Sequence, residues 1–281
     1  MSLGIVIKGS EGVVLAADSR VTLFSQLPPN PAMGNQVVVL PANFDNATKL
    51  LTVTGQQYVG AVTYGLGALM TADGPRTMHS FIPEFEKELT DQGVQRLSAP
   101  EFAKRLSDFY MGRWNELINR APNPGEEINF LVGGFDDGAA YGRVFEFKIP
   151  TLPEPREQNS GTGQFGMTWG GQFEVINRML FGFDLELPAV LQAALNLSDE
   201  RLAEIRKQME RFDAGIPYQF LPLQDCVNLA VFLIESTVRF QTFSIKNVRG
   251  VGGPVEVATI TRSSPLDRVM GKHNADAAHQ F

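Results

Sequence analysis

The sequence predicts a fold of the α+β class, in which strands group near both ends of the chain and helices lie between them. Residues 3–17 have the pattern of a hairpin of two apolar strands, and residues 255–261 that of a closing strand. Two amphipathic helical patterns occupy residues 78–118, a second hairpin follows over 128–149, and a long apolar helix spans 224–243. Separate groups of strands and helices are typical of this class.

The first hairpin places a serine where it could act as a reagent. Its strands, residues 3–7 and 13–17, are joined by a glycine-bearing turn over 8–12. If Met1 is removed, which the small Ser2 permits, the chain begins at the open end of a strand, beside the strand that ends in Asp18. A hydroxyl and a free α-amine on one residue combine a nucleophile with a base.

The helices that follow have clear sequence signals. Apolar residues recur at helical spacing over 78–89, and Gly93 ends that helix. Ser98 is a predicted N-cap for the next helix, whose aromatic residues we interpret as core. The helix predicted over 198–212 has a narrow apolar stripe, which packs on its own domain or, alternatively, on a partner helix. The helix over 224–243 is apolar nearly all round, so we expect it to be buried.

The second hairpin turns at Asp136-Asp137-Gly138. The two aspartates could be a paired-carboxylate site, but Asp-Gly supplies the conformation that such a turn requires, which favours the turn. Residues 150–163 are rich in proline and polar residues and are predicted to form a loop. A short strand over 165–169 then leads into Gly170-Gly171-Gln172 and a further helix.

Residues 4–22, GIVIKGSEGVVLAADSRVT, resemble the start of proteasome-type β subunits and their bacterial relatives, which are N-terminal nucleophile (Ntn) hydrolases. The family pattern has a catalytic N-terminal threonine, a glycine-turned hairpin and a D-[ST]-R triplet. Counted back without gaps from the triplet that begins at Asp18, the nucleophile position falls on Ser2. The resemblance implies a four-layer αββα sandwich: a single Ntn-hydrolase domain over 1–262, with insertions at about 24–46 and 183–220. A polar C-terminal tail, 263–281, is expected to be mobile.

The resemblance also assigns the remaining site residues. Lys49 precedes an alternating strand in a K-[IL]-x-x-[VI] pattern, the setting of the family's catalytic lysine. By itself, a lysine at a strand start is more often solvent-facing, and it is the hairpin that favours placing Lys49 in the site. Asp18 would pair with Lys49 and fix it. The strand-to-helix junction that carries G-S-G in the family is W-G-G-Q here, so the amide of Gly171 or Gly170 would hold the oxyanion. Arg20 is expected to brace the hairpin.

Three departures from the family pattern bear on activity. Serine stands where the proteasome family prefers threonine. The serine hydroxyl of G-S-G has no counterpart. In the family's D-x-x-S-G-G, the glycines match Gly252 and Gly253, but the aspartate and serine positions fall on Val248 and Val251.

Three functions therefore remain open. The favoured one is a serine/threonine-type Ntn peptidase or amidase, which cleaves peptide or amide bonds through an acyl-enzyme on Ser2. The alternatives are a non-catalytic ring-forming structural subunit and a small-molecule amidase of the same fold. The resemblance implies a homo-oligomeric ring around a peptide or protein substrate, and it leaves open an ATP-driven unfoldase as a partner.

The composition argues against several other classes of protein, namely nucleic-acid-binding, disulfide-bonded, metal-binding and membrane proteins. The formal net charge is −7, and no basic patch of the kind that nucleic-acid binding requires is visible. One cysteine, Cys226, cannot form an internal disulfide and is expected in the core, and three scattered histidines give no metal-ligand spacing, so we expect no cofactor. No signal peptide and no apolar run of membrane-spanning length is visible, so we expect a cytoplasmic protein without membrane contact.

Overall fold

The computed structural model describes residues 2–26, 39–161, 163–245 and 249–272, without the side chains of 24–26 and 39–41. The strands in these ranges are β1 (Leu3–Lys8), β2 (Gly12–Ala17), β3 (Val21–Gln26), β4 (Val39–Phe44), β5 (Leu50–Leu51), β6 (Val59–Gly65), β7 (Ala68–Thr71), β8 (Gly74–Thr77), β9 (Ile128–Gly134), β10 (Arg143–Ile149), β11 (Leu152–Gln158), β12 (Gly166–Gly171), β13 (Glu256–Thr261) and β14 (Asp267–Met270). The α-helices are α1 (Ile82–Asp91), α2 (Ala99–Leu117), α3 (Glu174–Phe181), α4 (Leu187–Leu195), α5 (Asp199–Met209) and α6 (Leu223–Phe243).

Two antiparallel sheets of five strands each organise the described part of the chain. The first sheet has the order β12-β1-β2-β13-β14 and the second β11-β10-β9-β6-β5. Side chains alternate between the faces of each strand, so Val6 of β1 points towards Leu131 of the second sheet, while Ile5 and Ile7 point the other way. Twelve of the described residues are buried and form the apolar layer between the two sheets, and Tyr58 and Leu266 pack against it at its margin.

Helices cover the outer faces of both sheets. On the second sheet, α1 and α2 contribute Phe85, Phe102 and Tyr110, and Tyr110 packs against Phe130 of β9 with ring centroids 4.7 Å apart. On the first sheet, α3 and α6 bury their apolar stripes against the side chains that β1 turns outward. The hairpin that carries Ser2 is therefore enclosed by the second sheet on one face and by helices on the other.

The second hairpin confirms the interpretation of its aspartates as turn residues. The carboxylate of Asp136 accepts a hydrogen bond from the Ala99 amide at 2.8 Å and another from Arg143 at 2.9 Å. It thereby supports the start of α2, next to the capping box that Ser98 and Glu101 form. Asp137 is an exposed partner of a surface arginine.

Two local predictions were wrong. The predicted loop at 150–163 contains β11, which pairs with β10. Its prolines, Pro153 and Pro155, obscure the strand pattern but are tolerated because β11 lies at the edge of its sheet. The expected burial of α6 on all sides also fails, since Phe232, Phe240 and Phe243 are exposed on the face turned away from the first sheet.

The predicted tail and insertions contain regular structure. Within 263–281, residues 267–270 form β14, so the expectation of a mobile tail is wrong there, and residues 273–281 lie outside the described ranges. The 24–46 stretch includes part of the ribbon that β3 and β4 form, while residues 27–38 are outside the description. The 183–220 stretch contains α4 and α5, and α5 buries Leu202 and Met209 within the chain.

Two features are absent among the described residues. None of their helices combines the length and apolar character needed to cross a membrane. None of their histidine, cysteine, aspartate and glutamate side chains cluster in threes in a way that could hold a metal ion.

Candidate active site

The open end of the β1–β2 hairpin brings Ser2 next to Asp18. Ser2 precedes β1 and Asp18 follows β2, so the antiparallel register places them side by side. The Leu3 amide donates to Asp18 Oδ1 at 2.9 Å, and the Asp18 amide donates to the Leu3 carbonyl at 3.3 Å. The backbone of the residue that follows the predicted nucleophile is therefore fixed by the aspartate.

Lys49 reaches this point from the second sheet. Its Nζ lies 2.6 Å from Asp18 Oδ1, and the two side chains are 4% and 0% exposed. The residue stands just before β5, where its carbonyl accepts the Thr63 amide of β6 at 3.0 Å. The solvent-facing alternative for Lys49 is thus excluded, and the site lies where the ends of the two sheets meet.

Asp18 is the most connected group of the site. Its Oδ2 accepts the amides of Arg20 at 3.1 Å and Gly252 at 2.9 Å, in addition to the two donors on Oδ1. Three backbone amides and one ammonium therefore surround a single buried carboxyl group. Four donors suit an ionised carboxylate, which can only accept.

Burial lowers the pKa of Lys49 below its ordinary value. The carboxylates of Asp18 and Glu256 oppose that effect, and the nearby Arg20 adds to it. The lysine therefore sits between two anions and one cation, in a place where water contributes little screening.

Gly171 takes a position that a side chain would block. It lies opposite Leu3 on β12, with φ at +107°, and a Cβ atom there would fall 1.8 Å from the Ser2 carbonyl oxygen. The next amide, that of Gln172, donates to the same carbonyl at 2.9 Å. The W-G-G-Q junction is thus in direct contact with the backbone of Ser2.

Arg20 acts as a brace, in line with the sequence prediction. Its guanidinium donates to the Asp45 carboxylate, at 2.8 Å for Nη2, and to the Arg249 carbonyl at 3.1 Å. A Cβ atom on Gly252 would meet the guanidinium at 2.5 Å, so this glycine makes room for it. Of the two positions that differ from the family's D-x-x-S-G-G, Val248 is outside the described ranges and Val251 is buried among apolar residues.

The space around Ser2 is nearly filled. Ser2 is 2% exposed, and the cavity that it shares with Lys49 and Thr63 has a volume of about 10 Å³. Thr77, the last residue of β8, and Met78, which follows it, line the same cavity. In this conformation the cavity is too small to hold more than about one water molecule beside Ser2.

Sequence reasoning missed two polar residues near the site. Glu256 in β13 accepts a hydrogen bond from the backbone amide of Lys49 at 3.1 Å. The sequence did hold a signal for it, because Glu256 is the one acidic residue in the otherwise largely apolar stretch 255–260. The hydroxyl of Thr63 is buried in the cavity wall without a hydrogen-bond partner among the described residues, and no sequence signal marks it. Cys226, in the first turn of α6, is buried in the apolar cluster between that helix and the first sheet, and burial raises its pKa to about 11.

This combination of stacked antiparallel sheets, covering helices and an N-terminal hairpin is a proteasome-like fold. Among solved structures, the chain is similar to Anbu (ancestral beta-subunit) from Yersinia bercovieri, with a TM-score of 0.52 and 17% sequence identity. The similarity covers 97% of this chain and 89% of the other. No protein-family model matches the chain, and no curated protein matches its sequence. At this identity, the comparison establishes the fold alone.

Proposed function

We propose that the protein is a proteasome-like Ntn hydrolase that cleaves peptide or amide bonds through an acyl-enzyme on Ser2. The sheet and helix contacts are consistent with a four-layer αββα sandwich, which would form one domain over 1–262. The protein would act in the cytoplasm, where its single buried cysteine stays reduced.

One observation carries the proposal: a single oxygen, Asp18 Oδ1, binds both the amide that follows Ser2 and the ammonium of Lys49. A buried ion pair of this kind is expensive to maintain for stability alone, because both charges lose their hydration. The cost of the ion pair is explained if the ammonium of Lys49 serves a reaction at Ser2. Lys49 and Ser2 line the same cavity, as such a role requires.

The proposed reaction begins once maturation has freed the α-amine of Ser2. Ser2 Oγ attacks the substrate carbonyl carbon, and the α-amine accepts the hydroxyl proton, directly or through water. The positive charge of Lys49 keeps the amine neutral and stabilises developing negative charge on Oγ. The Gly171 amide is assigned to the oxyanion, and loss of such a donor typically costs about 3 kcal/mol.

The tetrahedral intermediate then collapses. The C–N bond of the substrate breaks, the α-ammonium returns its proton to the leaving amine, and an ester of Ser2 remains. Water, deprotonated by the α-amine, attacks the ester carbonyl in the same way, and Ser2 Oγ leaves with the proton. The sequence consumes one water for each amide bond cleaved and requires no cofactor.

A non-catalytic ring subunit is the second candidate, and the closed cavity favours it. With Ser2 2% exposed and about 10 Å³ of space beside it, the described conformation admits no peptide. The catalytic proposal therefore requires this cavity to open. The resemblance of residues 4–22 to proteasome-type β subunits supports a homo-oligomeric ring as the assembly. Native mass spectrometry would count the subunits of that ring. An ATP-driven unfoldase is a candidate partner.

Hydrolysis of a fluorogenic peptide library tests the function directly. We expect cleavage by the wild type and by Ser2→Thr, and its loss in Ser2→Ala and Lys49→Met. Ser10→Ala, in the turn at the opposite end of the hairpin, is the matched control and should retain activity. Intact mass must show Ser2 as the first residue of the active protein. Equal hydrolysis by Ser2→Ala would refute the proposal, and acyl-amide turnover without peptide cleavage would indicate a small-molecule amidase.

A further inference from the structure

The strand start that carries Lys49 is held by the C-terminal hairpin. Lys272 Nζ donates to the Thr48 hydroxyl at 2.9 Å, and Arg268 Nη2 donates to the Leu50 carbonyl at 3.3 Å. Between these two contacts, Glu256 Oε2 accepts the amide of Lys49 itself at 3.1 Å. Three successive residues are thus each tied to a charged side chain from β13, β14 or the two residues that follow β14.

Glu256 is the buried member of this set. Its side chain is 3% exposed, and it lies opposite Ala17 in the β2–β13 pairing, one position from Asp18. Its other oxygen, Oε1, is 3.7 Å from Arg268 Nη1 and 3.6 Å from Lys272 Nζ. Arg268 and Lys272 are 42% and 19% exposed, so both cations are more exposed than the carboxylate that they flank.

A carboxylate is an unusual way to satisfy one backbone amide. Burying its charge costs several kcal/mol before compensation, whereas a neutral amide oxygen would accept the same hydrogen bond. Arg268 and Lys272 offset part of this cost on one side of the carboxylate, and on the other side its charge acts on Lys49. Glu256 raises the pKa of Lys49, against the lowering effect of burial.

We propose that Glu256 is a positioning residue for Lys49, anchoring its backbone and, together with Asp18, keeping its side chain in the ammonium form. Its part in acylation of Ser2 rests on the proposed function, whereas its effect on the charge of Lys49 does not. The charged groups around Lys49 are Asp18 from the end of β2, Glu256 from β13 and Arg20, joined after maturation by the α-amine of Ser2.

Four variants separate the two contributions. Glu256→Gln keeps an acceptor for the Lys49 amide but removes the anion. Glu256→Asp keeps the anion on a shorter side chain, and Glu256→Ala removes both. Glu157→Gln is the matched control, because Glu157 is also an ion-paired glutamate, but its partner is Arg143 of β10 and its side chain is 23% exposed.

The charge of Lys49 can be measured without any turnover. With ε-¹³C-labelled lysine, the Lys49 resonance is assigned by its absence in Lys49→Met and then followed by NMR during a pH titration. We expect the pKa of Lys49 to fall in Glu256→Gln, to stay near the wild-type value in Glu256→Asp, and to be unchanged in Glu157→Gln. An equal pKa in wild type and Glu256→Gln would overturn the electrostatic part of the proposal.

Positioning is measured by the rate at which a β-lactone acylates Ser2, read as intact mass across a pH series. A displaced catalytic group can cost about 10- to 100-fold in rate, which is the loss expected for Glu256→Ala. In Glu256→Gln, the alkaline limb of the rate profile should move to lower pH, and Glu256→Asp should recover part of the rate that Glu256→Ala loses.

The outcomes are distinguishable. Wild-type rates in Glu256→Ala, with normal acylation of Ser2, would refute the positioning role and leave the proposed function intact. Absence of acylation in the wild type would refute the proposed function, while the NMR titration would still decide whether Glu256 holds the charge of Lys49. If Glu256→Ala fails to fold, Glu256→Gln and Glu256→Asp carry both measurements.

Discussion

Asp18→Asn should be far more damaging than its small chemical change suggests. The carboxylate is 0% exposed and accepts three backbone amides and the Lys49 ammonium. An asparagine side chain has one acceptor oxygen, so its NH₂ group would face donors that have lost their partner. The substitution also leaves the ammonium of Lys49 buried without its ion-pair partner.

The magnitude follows from these contacts. Breaking a buried ion pair by removing one partner costs roughly 3–5 kcal/mol. At about 2–4 °C per kcal/mol for a chain of this size, the melting temperature of Asp18→Asn should fall by roughly 6–20 °C. Asp45→Asn is the matched control, because Asp45 pairs with Arg20 but its side chain is 44% exposed. An exposed pair is worth about 0–1 kcal/mol, so this control should melt within about 4 °C of the wild type.

A double variant sharpens the test. In Asp18→Asn/Lys49→Met, no unpaired ammonium remains, so calorimetry should show less destabilisation than the sum of the two single changes. Neighbouring groups of this kind typically couple by about 0.5–3 kcal/mol. If Asp18→Asn melts like Asp45→Asn, or if the two single changes simply add, the buried pair is not the strong local interaction described above.

Two further substitution and labelling experiments follow from the structure. Gly171→Ala would drive a methyl group into the Ser2 carbonyl at a left-handed φ, so it should lower the melting temperature and abolish acylation of Ser2. The control Gly112→Ala places its methyl group in open space on α2 and should be neutral or stabilising by up to about 1 kcal/mol. Equal melting temperatures of the two variants would contradict the contact assigned to Gly171. Because burial raises the pKa of Cys226 to about 11, iodoacetamide at pH 8 should label the native protein much more slowly than the unfolded chain, as mass spectrometry would show. Equally fast labelling of both forms would mean that the thiol is not buried.

Local signals accounted for the elements whose formation depends on neighbouring residues. The hairpin that ends in Asp18 and the cap at Ser98 could be predicted because turn glycines and a capping box act within a few residues. The contact between Asp18 and Lys49 joins two sheets, and no periodicity predicts such a pairing. It was predicted only through the resemblance of the first strands to a known family.

The missed features share a tertiary cause. β11 carries two prolines, which its edge position in the sheet tolerates, and β14 is polar because it too is an edge strand. Neither position within a sheet can be inferred from the segment alone. Glu256 acquires its role only when β13 lies beside β2, next to Asp18.

The central claim is that the hydroxyl and the α-amine of Ser2 act together, and a peptide epoxyketone tests both at once. The hydroxyl adds to the ketone and the amine opens the epoxide, so the two close a ring and no atom leaves. We predict that tandem mass spectrometry will find the full mass of the inhibitor on the peptide that begins with Ser2, and none in Ser2→Ala. An unmodified Ser2, or an N-terminus still blocked by Met1 after prolonged treatment, would contradict the account.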